Sequence, residues 1–80
     1  MSMIPIQCRM ARVALNLSNN DLAALAKVGV NTVSRFEQGN DVRHSSVVAI
    51  QEALERAGVE FISEGQELGA GGPGVRLRRP

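Results

Sequence analysis

Five hydrogen-bonding side chains fall within eight residues near the middle of the chain, at a spacing that places them on the outward side of a helix. They are Asn31, Thr32, Ser34, Arg35 and Gln38. Arginine pairs well with guanine, and asparagine or glutamine with adenine, in the major groove of DNA. The same residue types also occur on helix surfaces that only face solvent, and asparagine and threonine favour helix starts. Both interpretations stay open from these residues alone.

The overall charge gives no comparable signal. The 80 residues carry nine basic and eight acidic side chains, a net charge of +1, so nucleic-acid binding has to come from local arrangement. The length predicts one small domain, and no apolar run reaches the roughly 18 residues of a membrane span. One cysteine excludes an intramolecular disulfide. We find no metal-ligand spacing and no nucleophile arrangement, and we expect a cytoplasmic protein that is not an enzyme, with no cofactor, metal or membrane partner.

Apolar spacing before Gly58 predicts a compact all-α bundle of four to five helices. A first helix is predicted at about 5–15, on the stripe formed by Ile4, Cys8, Ala11 and Leu15. A second follows Ser18, which with Asp21 nearly forms a capping box, and ends near Lys27. Leu22, Leu25 and Ala26 are expected on its inner face.

A third helix is predicted at 30–38, between Gly29 as N-cap and Gly39 as the glycine that ends it. Its Val33 and Phe36 are expected to face inward. A fourth helix is predicted to begin at a cap formed by Ser45 or Ser46 and to stop at Gly58.

Two short strands, at 59–63 and 75–78, are predicted to form a C-terminal β ribbon around a flexible turn at 65–74. We therefore divide the chain into residues 1–58, a helical domain, and 59–80, a ribbon that is a candidate dimerisation element. Its apolar side chains have few expected partners in so small a domain, which favours pairing with a second copy. They are Phe61, Ile62, Val75 and Leu77.

Residues 19–38 have the spacing of two short helices joined by a tight turn. Ala23 supplies the small side chain where the helices cross, and apolar residues lock the second helix against the first. In this arrangement the second helix lies in the major groove of DNA while the first crosses the backbone.

The segment LSNNDLAALAKVGVNTVSRFEQG, residues 17–39, resembles the helix-turn-helix family of the phage repressors and Cro (XRE-like), and the resemblance extends over residues 8–57. It implies a sequence-specific regulator of transcription that binds double-stranded DNA as a homodimer, as a repressor or autorepressor. An alternative is an antitoxin or other protein-interaction module that uses the same fold to bind a protein partner.

The resemblance also implies individual roles. Val30, Asn31 and Arg35 match base-facing positions, with Thr32 beside them on the same face. Positions that contact the DNA backbone are matched by Ser18, Asn19, Ser34, Gln38 and Arg43. Arg12 and Glu37 match a pair that forms an internal salt bridge, which removes Arg12 from the expected DNA contacts.

Two residues depart from the family pattern. Lys27 stands where the family has a left-handed glycine in the turn, which costs a non-glycine residue roughly 1 kcal/mol. Asn19 replaces the usual glutamine and has a shorter reach toward a phosphate.

Overall fold

The computed structural model describes residues 2–63 and 71–78. In this part of the chain four helices are followed by a two-stranded antiparallel sheet, as predicted. The loop expected at 65–74 lies largely outside the described residues. The elements are α1 (Pro5–Ala14), α2 (Asn19–Ala26), α3 (Val30–Glu37), α4 (His44–Arg56), β1 (Val59–Ile62) and β2 (Gly74–Leu77).

All four helices and β1 contribute to one hydrophobic core. Its fully buried members are Cys8, Ala11, Leu22, Val33, Ile50 and Leu54. The prediction that Leu25 faces inward is wrong, because its side chain is exposed. The buried face of α2 is formed by Leu22, Ala23 and Ala26. Because successive residues turn by about 100° around a helix, Leu25 lies beside this face and not within it. Ile4 is exposed as well, and Met3 is buried in its place.

The start of α4 lies earlier than the sequence predicts. The helix begins at His44 with Arg43 as N-cap, and neither Ser45 nor Ser46 caps it. Val42 and Val47, one residue before and four residues after the cap, both pack in the core cluster. A hydrophobic pair at these positions fixes where the chain enters a helix, so packing overrides the serine caps.

α1, α2 and α3 end in the same way. In each, a residue one or two positions beyond the helix takes a left-handed conformation, and the next amide bonds back to a carbonyl five residues earlier; in α2 this bond joins Val28 N to Ala23 O over 3.0 Å. The left-handed residues are Asn16, Lys27 and Gly39. Asparagine and glycine tolerate this conformation, whereas lysine is strained there. The prediction for Lys27 is therefore confirmed, at φ 58° and ψ 43°.

The β ribbon packs against α1 through a buried glutamine that the sequence analysis did not single out. The Gln7 amide nitrogen donates to Ile62 O over 2.9 Å and to Gly74 O over 3.0 Å, and its oxygen accepts from Ile4 N. Phe61 and Val75 pack against the core. The expectation that these two side chains have few intramolecular partners is thus wrong, because α1 and α4 cover the inner face of the ribbon.

Candidate nucleic-acid interface

The two faces of α3 differ sharply in their surroundings. Val33 and Phe36 are buried against the other helices, and a tight turn connects α2 to the N-terminus of α3 at Gly29. The outward face carries the predicted base-facing residues. Val30, Asn31 and Arg35 are exposed, while Thr32 and Ser34 are half-buried at its margins. This helix therefore presents hydrogen-bonding groups and one apolar side chain to a binding partner.

An ion pair between α1 and α3 fixes the position of the outward face. Arg12 Nε lies 2.9 Å from Glu37 Oε2, and Arg12 Nη2 lies 3.1 Å from Glu37 Oε1. Arg12 Nη1 also donates to Leu17 O. The side chains are only 17% and 8% exposed. The predicted internal salt bridge is confirmed, and each of the three guanidinium nitrogens of Arg12 donates within the protein.

The Cys8 thiol donates to the same Glu37 carboxylate over 3.4 Å. Burial raises the pKa of this thiol far above its usual value, and the adjacent Glu37 charge adds to the effect. A neutral thiol is a poor nucleophile. Cys8 therefore serves as a core residue with one polar contact.

The start of α2 is held by a reciprocal pair of hydrogen bonds. Ser18 Oγ accepts from Asp21 N over 3.0 Å, and Ser18 N donates to Asp21 Oδ2 over 2.9 Å. The bond from the Ser18 amide lowers the pKa of the Asp21 carboxyl. Aspartate thus completes the capping box that the sequence predicted in incomplete form.

The side chain of Asn19 points toward α3. Asn19 Nδ2 donates to Ser34 Oγ over 3.1 Å, and Asn19 Oδ1 is buried without a hydrogen-bond partner among the described residues. Its amide therefore joins α2 to α3, and the group that Asn19 can offer to a phosphate is its backbone N–H, which has no partner within the helix.

The remaining predicted contacts flank the outward face of α3. Arg35 Nη2 lies 3.4 Å from Asp41 O, a weak bond that leaves most of its donors free. Gln38 Oε1 accepts from Asn40 Nδ2 over 3.5 Å. Arg43 is exposed at the start of α4. Arg35 and Arg43 line one groove together with Val28 and Gly29 of the turn before α3.

For Lys27 the sequence predicts only a strained turn. It lines the same groove as Arg35 and Arg43. Its positive charge beside the start of α3 was the signal that could have identified it as a candidate contact.

The described ranges 2–63 and 71–78 contain neither a metal-ligand cluster nor a membrane-spanning helix. No group of three side chains there could hold a metal ion. None of the helices in these ranges combines the length and apolar character needed to cross a bilayer. Two short helices around a tight turn, with a polar outward face on the second, define a helix-turn-helix DNA-binding protein.

A family model described as Helix-turn-helix matches residues 9–61, more than half of the chain. The chain belongs to this family, in its Cro and phage-repressor (XRE-like) branch. It is a DNA-binding helix-turn-helix regulator, from a family of regulatory domains and not of enzymes. A search of curated proteins found no match.

Proposed function

We propose that the protein is a homodimeric, sequence-specific repressor that controls transcription by occupying its operator. In this proposal α3 lies in the major groove. Arg35 and Asn31 bond to base edges, and Val30 contacts a thymine methyl group. Ser18, the backbone amide of Asn19, Gln38 and Arg43 set the register on the phosphates.

The observation that carries this proposal is the division of α3 into two faces. Val33 and Phe36 anchor one face in the core, and Arg12 fixes its last residue, Glu37. Base discrimination needs side chains held in a defined orientation. The exposed Asn31 and Arg35 are therefore presented by a helix whose position is fixed from behind.

Replacing Arg35 by alanine is expected to weaken operator binding by about 1–3 kcal/mol and to relax the preference at one base pair. The measurement is selection from a random duplex library with both proteins. A two-fold-symmetric site should be enriched with the wild type and lose information at one position with the variant. Arg9→Ala removes the same side chain from the exposed surface of α1 and should leave the site unchanged. Equal weakening on all sequences would make Arg35 a phosphate contact, and no enrichment at low salt would contradict sequence-specific binding.

Dimerisation through the β ribbon supports this mode of binding. A single α3 reads about four or five base pairs, and two copies can engage successive major grooves about 34 Å apart. Within the described residues the sheet has only two strands, so β2 offers an edge to a second copy. Leu77 at its end is 51% exposed. These features favour a ribbon-to-ribbon interface over one made by the helices.

Leu77→Glu is expected to weaken dimerisation about a hundredfold or more, since each protomer loses a buried leucine worth about 1.5–3 kcal/mol. Sedimentation equilibrium measures this directly. Deletion of residues 59–80 would not serve as the test, because it removes Val59 from the core and would impair folding. A point substitution is therefore needed. Val13→Glu on α1, where the wild-type side chain is 61% exposed, is the matched control. A Leu77→Glu variant that stays dimeric would contradict the ribbon interface.

A second candidate function, binding of a protein partner as an antitoxin does, is favoured by the outward surface of α1. Ile6, Met10 and Val13 line an apolar depression there, and apolar surface patches mark interaction sites. Co-purification with the product of the neighbouring reading frame tests this. A complex that Val13→Glu abolishes, with duplex binding intact, would support it, whereas no complex would leave DNA binding as the whole function.

A further inference from the structure

Lys27 is the chain's single lysine, and it occupies a strained backbone position. The other left-handed residues among those described are Asn16, Gly39 and Gly58, which are types that tolerate this conformation. Strained residues persist where the surrounding structure holds them, and they cluster at functional sites. The strain at Lys27 therefore prompts the question of what its side chain contacts.

The groove beside Lys27 is basic. It has a volume of about 400 Å³, and its lining includes the cationic side chains of Lys27, Arg35 and Arg43. Asp41 is the acidic residue in the lining, and its backbone carbonyl accepts the bond from Arg35. The Lys27 ammonium has no hydrogen bond or ion pair within the described residues. Three cations against one carboxylate give the groove the charge that suits a phosphate.

Two helices also begin at this groove. Gly29 and Arg43, the N-caps of α3 and α4, both line it, and neither makes a side-chain cap bond. The first amides of a helix have no partner within it, and their dipoles favour an anion. The groove thus combines cationic side chains with backbone donors at the starts of two helices.

We propose that Lys27 is a DNA phosphate contact, and that the backbone crosses the groove between the starts of α3 and α4. This assignment rests on the proposed placement of α3 in the major groove. Lysine binds phosphate as a point charge, so Lys27 contributes to binding on every sequence. A glycine in its place would relieve the backbone strain but would remove this charge.

The test compares Lys27→Gly with wild type by thermal unfolding and by binding to a 30-base-pair duplex of mixed sequence across a salt series. Lys27→Gly is expected to raise Tm by about 4–8 °C. Its affinity should fall about eightfold at 0.1 M salt, and the salt slope should fall by about 0.9. Lys27→Asn should lose the same affinity, since asparagine suits the left-handed turn without a charge, whereas Lys27→Arg should keep both affinity and slope.

Arg56→Gln is the control for loss of one charge, because Arg56 lies at the far end of α4, about 20 Å from Arg43. Its affinity and salt slope should stay near wild type. Acetylation of Lys27, followed by mass spectrometry of its peptide, gives a second readout: the duplex should protect it. If the wild type binds the duplex but Lys27→Gly has the same affinity and salt slope, or if the duplex does not protect Lys27 from acetylation, the assignment is overturned. Wild-type protein that binds neither this duplex nor a selected one would instead overturn the proposed function.

Discussion

Arg12→Met is expected to lower the free energy of unfolding by about 3–5 kcal/mol. Methionine keeps most of the aliphatic stem, so the change removes the charge and the hydrogen bonds with little loss of packing. Among the described residues it leaves the Glu37 carboxylate, which is 8% exposed, with the Cys8 thiol as its one remaining side-chain donor. A chain of this size has a total stability of about 4–12 kcal/mol. Urea unfolding followed by circular dichroism should therefore show a transition at a much lower urea concentration than in the wild type, or no cooperative transition.

The double variant Arg12→Met with Glu37→Met separates a buried unpaired charge from a general loss of packing. Replacing both members of a buried ion pair by apolar residues is often neutral or stabilising, so the double variant should be more stable than Arg12→Met alone. Glu60→Gln breaks the exposed pair with Arg76, in which the arginine and glutamate side chains are 54% and 44% exposed, and should cost less than about 1 kcal/mol. If Arg12→Met and Glu60→Gln lower the free energy of unfolding by the same amount, Glu37 is solvated in solution and not buried.

Gln7→Leu is expected to cost about 2–3 kcal/mol. Leucine has a similar volume but cannot donate to the carbonyls of Ile62 and Gly74 or accept from the Ile4 amide. Buried polar groups left without partners carry the full cost of their desolvation. Amide hydrogen exchange should locate the damage in β1 and β2, with α3 protected as in the wild type. Uniform loss of protection would mean that Gln7 supports the whole core and not the ribbon in particular.

Gln7→Glu supplies the isosteric comparison and a pH dependence. Its carboxylate accepts from Ile4 N but cannot donate to the two strands, and burial raises the pKa of such a carboxyl above its unfolded value. The folded variant then binds more protons than the unfolded one, so its stability rises as pH falls from 7 toward 4. Gln7→Leu has no such group. If the difference in stability between Gln7→Glu and Gln7→Leu stays constant from pH 7 to pH 4, the side chain at position 7 is not buried.

The sequence predicted those parts of the molecule that depend on local spacing. Residues Ser18 and Asp21 identified the start of α2, and Gly39 identified the end of α3. The Arg12–Glu37 pair followed from the family resemblance, although the residues are 25 positions apart. At each of these positions one or two residues of a characteristic type, such as a capping serine or a glycine after a helix, determine the local structure.

Other features depend on contacts between distant segments. Gln7 finds its partners 55 and 67 residues further along the chain, which no local pattern reveals. Its place on the buried face, beside Cys8 and one turn before Ala11, was the available signal. The Asn19 side chain was expected at a phosphate, and its turn toward Ser34 depends on how closely α2 and α3 pack.

The packing of the β ribbon on α1 has a consequence for the order in which the chain folds. Helices α2, α3 and α4 follow one another and bury their faces against near neighbours, and such local contacts form quickly. Gln7, the polar side chain buried in α1, has both of its carbonyl partners only when Ile62 and Gly74 have been synthesised. During translation the packing of α1 is therefore completed only after β2 has been made, although α1 is made first. A nascent chain that stops before β2 lacks the Gly74 carbonyl that accepts the second hydrogen bond from Gln7.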